Sequence, residues 1–195
     1  MLTVACVQVG TKYEEHYVDR LRTMVARNLS VPHRFEVIRR PPLLPGADGC
    51  WSKLWLFEPL FAQDKVLYLD LDVIVTGSLD ALVSGNGFRA MRDPRSTESR
   101  PKLNSSAMVW LPGDQSDRIH SAHLRHRPEG KPLGFWRGDQ EFIQHQLGEF
   151  WDPLPGVHSY KMGLKPDTVV AVFHGTPKPH DLPVDDPLRR TWEDQ

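Results

Sequence analysis

The sequence contains no apolar run of the length a membrane-spanning helix needs, about 20 residues. Its first apolar stretch, Leu2 to Val9, ends at Gly10 and carries no basic flank, so it reads as neither a secretory leader nor an anchor. Peripheral membrane contact stays open. Cysteine is scarce: Cys6 and Cys50 are the only two, and neither has a neighbour at metal-ligand spacing. That excludes a zinc site built on thiolates and leads us to expect a reduced, cytoplasmic setting. Excess charge is also lacking. A formal net charge of -1 excludes a nucleic-acid binder that works by bulk charge. No internal repeat and no linker-like segment interrupts the chain.

What is present is enough for one sizeable domain. The chain has 195 residues and 39% hydrophobic content, with 17 prolines and 14 glycines that imply many turns. Leu2 to Val9 reads as a buried strand that ends in the turn Gly10-Thr11-Lys12-Tyr13. From Glu14 to Leu29, apolar residues at Tyr17, Val18, Leu21, Met24 and Val25 recur at helical spacing, and Val31-Pro32 closes the helix. Arg34 to Arg39 alternates like a strand. Strand, helix and strand in that order predict an α/β fold with a parallel sheet. A Pro/Gly-rich loop over Pro41–Gly49 precedes a predicted helix over Trp51–Phe61, which includes Leu60. Later elements are a short helix over Leu79–Val83, strands over Gly87–Met91, Leu103–Leu111 and Thr168–Phe173, and helices over Ser116–Leu124 and Gly138–Leu147. A basic cluster of His123, Arg125, His126 and Arg127 is ended by Pro128. The last stretch, 181–195, is rich in proline and charge and is expected to be a strap or a flexible tail behind a domain spanning 1–180.

The chain turns on Val66 to Leu79, VLYLDLDVIVTGSL. Its apolar flanks read as one strand buried on both faces. Two carboxylates two residues apart, Asp70 and Asp72, share a side of an extended chain. Like charges are costly to bury together unless something positive lies between them, and a hard divalent cation such as Mg or Mn is the natural solution. A pair of solvated acids in a strand-end loop is the alternative, and the apolar flanks argue against it.

Five elements in order carry a family resemblance: the GTKY turn at Gly10–Tyr13, the Asp70-Leu71-Asp72 stretch, Asn104-Ser105-Ser106, Gly138-Asp139-Gln140, and the ending His174-Gly175-Thr176-Pro177-Lys178-Pro179-His180. From about Val4 to His180 the chain resembles the metal-dependent nucleotide-sugar glycosyltransferases of GT-A fold. In pattern it is similar to glycosyltransferase family 8, the glycogenin-like group, and to small bacterial members of it. The resemblance implies an α/β, GT-A-like single domain whose central, mostly parallel sheet is flanked by helices. It also implies Mn2+ or Mg2+ as cofactor, a nucleotide-sugar donor expected to be a UDP-sugar, and a retaining transfer.

Residue by residue, the resemblance makes Asp70, Asp72 and His174 the metal ligands. A carboxylate-plus-imidazole set suits Mn better than Ca. Lys178 would reach the phosphates as a point charge, although it comes sooner after His174 than the lysine of the glycogenin-like ending. Tyr13 would stack on the base, with Gly10 and Thr11 bringing backbone to the base or ribose. Asn104 and Ser105 would hydrogen-bond the donor sugar. Lys53 would face the donor, and Asp139 and Gln140 would stand near the anomeric carbon. Where relatives carry an acidic Thr-Asp pair after the second strand, this chain has Arg39-Arg40-Pro41. Each residue also has a plainer reading: Tyr13 as packing, Lys53 as a solvated helix lysine, Asp139 as a helix cap, His174 as a turn histidine. The tryptophans Trp51, Trp55, Trp110, Trp136 and Trp151 read as core, with Trp136 the best candidate for a sugar-stacking ring.

Two other classes fit parts of the pattern. A haloacid-dehalogenase-type phosphatase also places Asp-x-Asp after an apolar strand, with the first Asp as nucleophile, but on the first strand of its domain. A non-catalytic or degenerate nucleotide-sugar-binding protein would keep the site and lose turnover. The acceptor, whether glycan, lipid-linked or protein, is expected to meet Arg92–Lys102 and His120–Lys131.

Overall fold

The computed structural model describes residues 1–43, 49–59, 61, 63–97, 99–125 and 136–194. Leu60, part of the Pro41–Gly49 loop, His126, Arg127, Pro128, Lys131 and Gly134 therefore lie outside the described residues. Strand β1 (Leu2–Val7) leads through the GTKY turn into helix α1 (Glu15–Asn28), and β2 (His33–Ile38) follows. Helix α1 forms because Tyr17, Val18, Leu21, Met24 and Val25 fall on one face and are buried there. Each such side chain contributes about 1.5–3 kcal/mol of burial.

The segment expected as an α-helix from Trp51 is instead a 3-10 helix, Gly49–Phe57. Six of its residues are buried nearly in succession, Trp51, Ser52, Lys53, Leu54, Leu56 and Phe57, so no single apolar stripe selects the α period.

The Asp-bearing run is not one strand. Strand β3 (Lys65–Leu69) stops at Asp70, and β4 (Val73–Val75) belongs to a different sheet. The backbone N–H of Asp70 still donates to Ser106 O at 2.8 Å, while Asp72 O accepts from the Phe173 N–H at 3.0 Å. Asp70-Leu71-Asp72 is thus the corner at which the chain leaves one sheet and joins the next.

Helix α2 (Asp80–Val83), β5 (Arg89–Arg92), β6 (Leu103–Trp110), α3 (Asp114–Arg125) and α4 (Asp139–Leu147) come next, then β7 (Asp152–Pro153), β8 (Val157–Ser159), β9 (Val170–Val172) and α5 (Pro187–Glu193). The main sheet runs β2-β1-β3-β6-β5-β7. Strand β1 is parallel to β2 and β3, and β5 to β7, whereas β6 is antiparallel to both its neighbours. The sheet is therefore mixed, with its parallel half around β1. The second sheet is β4-β9-β8.

Strand alternation divides the core in two. Leu2, Val4 and Cys6 of β1 and Leu67 and Leu69 of β3 face α1, α5 and the second sheet. Ala5, Val66 and Tyr68 face the 3-10 helix, α3 and α4. The stretch expected as strap or flexible tail carries α5, opened by Asp186, whose side chain accepts from the Leu188 N–H. Trp192 is fully buried against Tyr17, with the Arg20 guanidinium 3.8 Å from its ring centroid. Among the described residues no helix is long and apolar enough to cross a membrane.

Candidate active site

The carboxyl ends of the parallel strands β1 and β3 open onto one edge of the sheet, where an α/β fold leaves room for a ligand. Asp70 stands at the end of β3. Its Oδ1 accepts from the Tyr68 hydroxyl at 2.5 Å and pairs with Lys53 Nζ at 2.9 Å. Asp72 Oδ2 accepts from the Tyr13 hydroxyl at 2.8 Å and from Lys178 Nζ. Each carboxylate therefore already holds one ammonium and one phenol, which offsets the cost of placing two acids at a partly buried corner. Burial, and then the Asp72 charge, hold the Tyr13 hydroxyl far above the usual phenol range, so it stays a donor. Burial and Asp70 do the same to Tyr68.

Lys53 joins this corner to α4. Its Nζ lies 3.5 Å from Asp139 Oδ2 and 3.2 Å from Ser105 Oγ, which itself donates to Asp139 at 2.7 Å. Burial alone would push the ammonium down, but Asp139 and Asp70 overcome it and hold Lys53 above the ordinary lysine value. Lys53 is thus a buried, paired cation rather than a solvated helix lysine.

The ending after β9 supplies the third side. His174 Nε2 is buried without a hydrogen-bond partner. Burial lowers the imidazole below its ordinary value, with Asp72 and Asp70 pulling the other way. Gly175 takes φ +68°, a left-handed turn that glycine adopts without strain and that lets the chain bring Lys178 back to Asp72. Among the described residues no three His, Cys, Asp or Glu side chains are gathered into a group that could hold a metal ion. The donor types nevertheless suit a hard divalent cation: two carboxylates at the corner and, on the segment after β9, an unpartnered imidazole nitrogen whose ring feels both charges. In this arrangement the Lys178 ammonium supplies the positive charge on Asp72.

A cleft of about 630 Å³ runs from this corner along the GTKY turn, lined by Gly10, Thr11, Tyr13, Lys53, Asp70 and Asp72 among others. Its size suits a nucleotide-sized ligand. The structure thus brings six of the expected residues to one cleft, with Lys178, Ser105, Asp139 and His174 behind them. Others stand apart. Asn104 Oδ1 turns back to accept from the Ser106 N–H at 2.9 Å. Gln140 is half-buried in the first turn of α4 and does not line the cleft. Trp136 packs with its ring centroid 4.5 Å from His145. Tyr68 was not anticipated, although its place two residues before Asp70 puts both side chains on one face of β3 and carried the signal.

No protein-family model and no curated protein sequence matches the chain. Solved structures do. An active-site mutant of LgtC superposes with a TM-score of 0.67 at 12% identity, covering 97% of this chain and 93% of that one. The galactosyltransferase LgtC in complex with donor and acceptor sugar analogs gives 0.62 at 14%, covering 91% and 88%. The glycosyltransferase GlyE of Streptococcus pneumoniae TIGR4 gives 0.64 at 16%, covering 97% of this chain and 58% of GlyE. At these identities the likeness is one of fold, and the fold is that of the GT-A glycosyltransferases. The Asp pair follows β3, the third strand in chain order, whereas the haloacid-dehalogenase-type arrangement places it on the first strand of its domain.

Proposed function

We propose that the protein is a metal-dependent glycosyltransferase of the glycogenin-like kind, moving a sugar from a nucleotide-diphosphate donor, expected to be UDP-linked, to an acceptor hydroxyl with retention at the anomeric carbon. The observation that carries this reading is the corner itself: Asp70 and Asp72, each paired with a lysine, and a buried His174 nitrogen without a partner on the segment that brings Lys178 to Asp72. The GT-A fold and the adjoining cleft support it.

Asp70, Asp72 and His174 would hold the ion. A bound divalent cation would supply positive charge against the leaving diphosphate. Lys178 would pass from Asp72 to a phosphate oxygen, and Tyr13 would remain a hydroxyl donor at Asp72. Lys53 and Ser105 hold Asp139 still, so its negative charge would face the positive charge that develops on the anomeric carbon. The bond from that carbon to the phosphate oxygen breaks, the bond to the acceptor oxygen forms on the same face, and the acceptor proton passes to the departing phosphate. No separate base is then required.

A non-catalytic nucleotide-sugar binder is the second reading, favoured by the Lys178 ammonium already lying on Asp72. Replacing Asp70 and Asp72 together by Ala tests the first reading. Release of UDP from UDP-glucose or UDP-galactose with Mn should fall about a hundredfold or more. Unchanged Mn binding and unchanged donor-dependent activity would overturn it. NMR of the product gives the stereochemistry, and inversion would sink the retaining assignment.

A further inference from the structure

A second concavity, about 500 Å³, lies between the end of β5 and the segment around β8. Strand order places it relative to the Asp corner. The donor cleft borders β1 on one side of β3, and this pocket borders β5, two places along on the other side. Since β6 is antiparallel to both β3 and β5, those two strands end at the same edge of the sheet. Asp93, just past β5, thus shares the edge with Asp70, and its charge is felt at His174. On the other wall, Ser159 pairs in register with Val172, and the next ring, Tyr160, stacks on Phe173 at 4.5 Å, one residue before His174. The pocket therefore abuts the reaction corner opposite the donor cleft.

Its lining has an unmet polar demand. Ser159 is 3% exposed, lines the pocket, and its hydroxyl has no hydrogen-bond partner. A buried hydroxyl without a partner needs an explanation, and a ligand hydroxyl would supply one. His158 bonds through Nδ1 to Thr168 Oγ1 at 2.9 Å, which leaves Nε2 for a ligand. Gly156 shapes the floor. It has φ +65°, and a Cβ there would lie 2.7 Å from Asp167 O. Charge is balanced: Arg92 and Lys165 against Asp93 and Asp167. Mixed donors and acceptors of zero net charge, with apolar Leu154 and Met162 between them, match neutral hydroxyls rather than a phosphate or a long lipid chain.

We propose that this pocket is the acceptor subsite and that it takes a neutral sugar unit of a glycan. The proposal rests on the reading of the protein as a glycosyltransferase. Saturation-transfer NMR with the full chain, Mn and UDP tests it, using methyl glucoside, methyl galactoside and lactose as probes. At least one probe should bind. Binding should weaken about tenfold in Ser159→Ala, the worth of one hydrogen bond, and be lost in Met162→Trp, which fills the mouth from a residue 59% exposed. Ser159→Ala removes an unpartnered hydroxyl, so its thermal stability should match or exceed the native value. No binding by any probe, or unchanged binding in both variants, overturns the proposal. UDP release from the native protein is read in parallel. Donor consumed with no glycoside bound overturns the subsite and leaves the transfer reading standing. Glycoside bound in the pocket with no donor consumed overturns transfer, and with it the acceptor role, leaving a sugar-binding pocket.

Discussion

Lys53 Nζ stands 2.9 Å from Asp70 Oδ1, and both side chains are largely withdrawn from solvent, at 10% and 21% exposure. The same ammonium neutralises Asp139, so one lysine holds the end of β3 to the start of α4. Lys53→Met would keep the length and remove the charge, leaving two carboxylates facing one another. A loss of about 3–5 kcal/mol in chemical denaturation is expected, together with loss of donor turnover. The pH dependence follows from the sign of the shift. Lys53 is held above its unfolded value, so its contribution is fully present below the unfolded lysine pKa of about 10.4 and is lost only as pH rises through the higher folded value. The stability difference between native protein and Lys53→Met should therefore not shrink as pH rises from neutrality toward that unfolded value.

Gly175 turns the chain directly after His174, with φ +68°. An added Cβ would lie 3.3 Å from Lys161 Nζ, the movable tip of a side chain, so the backbone carries the cost. Gly175→Ala should cost about 1–2 kcal/mol and lower the melting temperature by about 2–4 °C per kcal/mol. Because the turn delivers Lys178 to Asp72, donor affinity measured by calorimetry should weaken as well.

Trp192 is fully buried although it stands only two residues before the last described one, Asp194. Trp192→Ala should cost about 3–5 kcal/mol in denaturant unfolding. Val184→Ala, at a position 72% exposed in the same segment, should stay within about 0.5 kcal/mol. Equal effects of the two would show that α5 is not part of the core.

The α/β frame was legible because period and punctuation agree along β1, α1 and β2, where Gly10 and Pro32 mark ends that the backbone respects. The corner at Asp70–Asp72 was not legible as a corner. Val66–Leu69 and Val73–Val75 are equally apolar, and hydrophobicity cannot say that two halves of one run lie in two sheets. The 3-10 helix at Gly49–Phe57 escaped for a related reason: burial on nearly every side erases the stripe that separates one helical period from another. Helix α5 was hidden by composition, since Pro183, Asp185, Asp186 and Pro187 read as a solvated tail and only Trp192 argued otherwise. At the site, the lysines were reached through resemblance rather than pattern. Nothing in the spacing of Lys53, Asp70, Asp139 and Lys178 alone says that they meet.

The corner between the sheets has a mechanical meaning. Asp70 is tied by its backbone to β6 and Asp72 to the chain just after β9. The two carboxylates are therefore the jaws of a caliper whose arms are two separate sheets. Any repacking that slides one sheet against the other, even in the core far from solvent, changes the gap between the jaws. Cation affinity at this corner would serve as a gauge of how tightly the two halves of the protein are assembled.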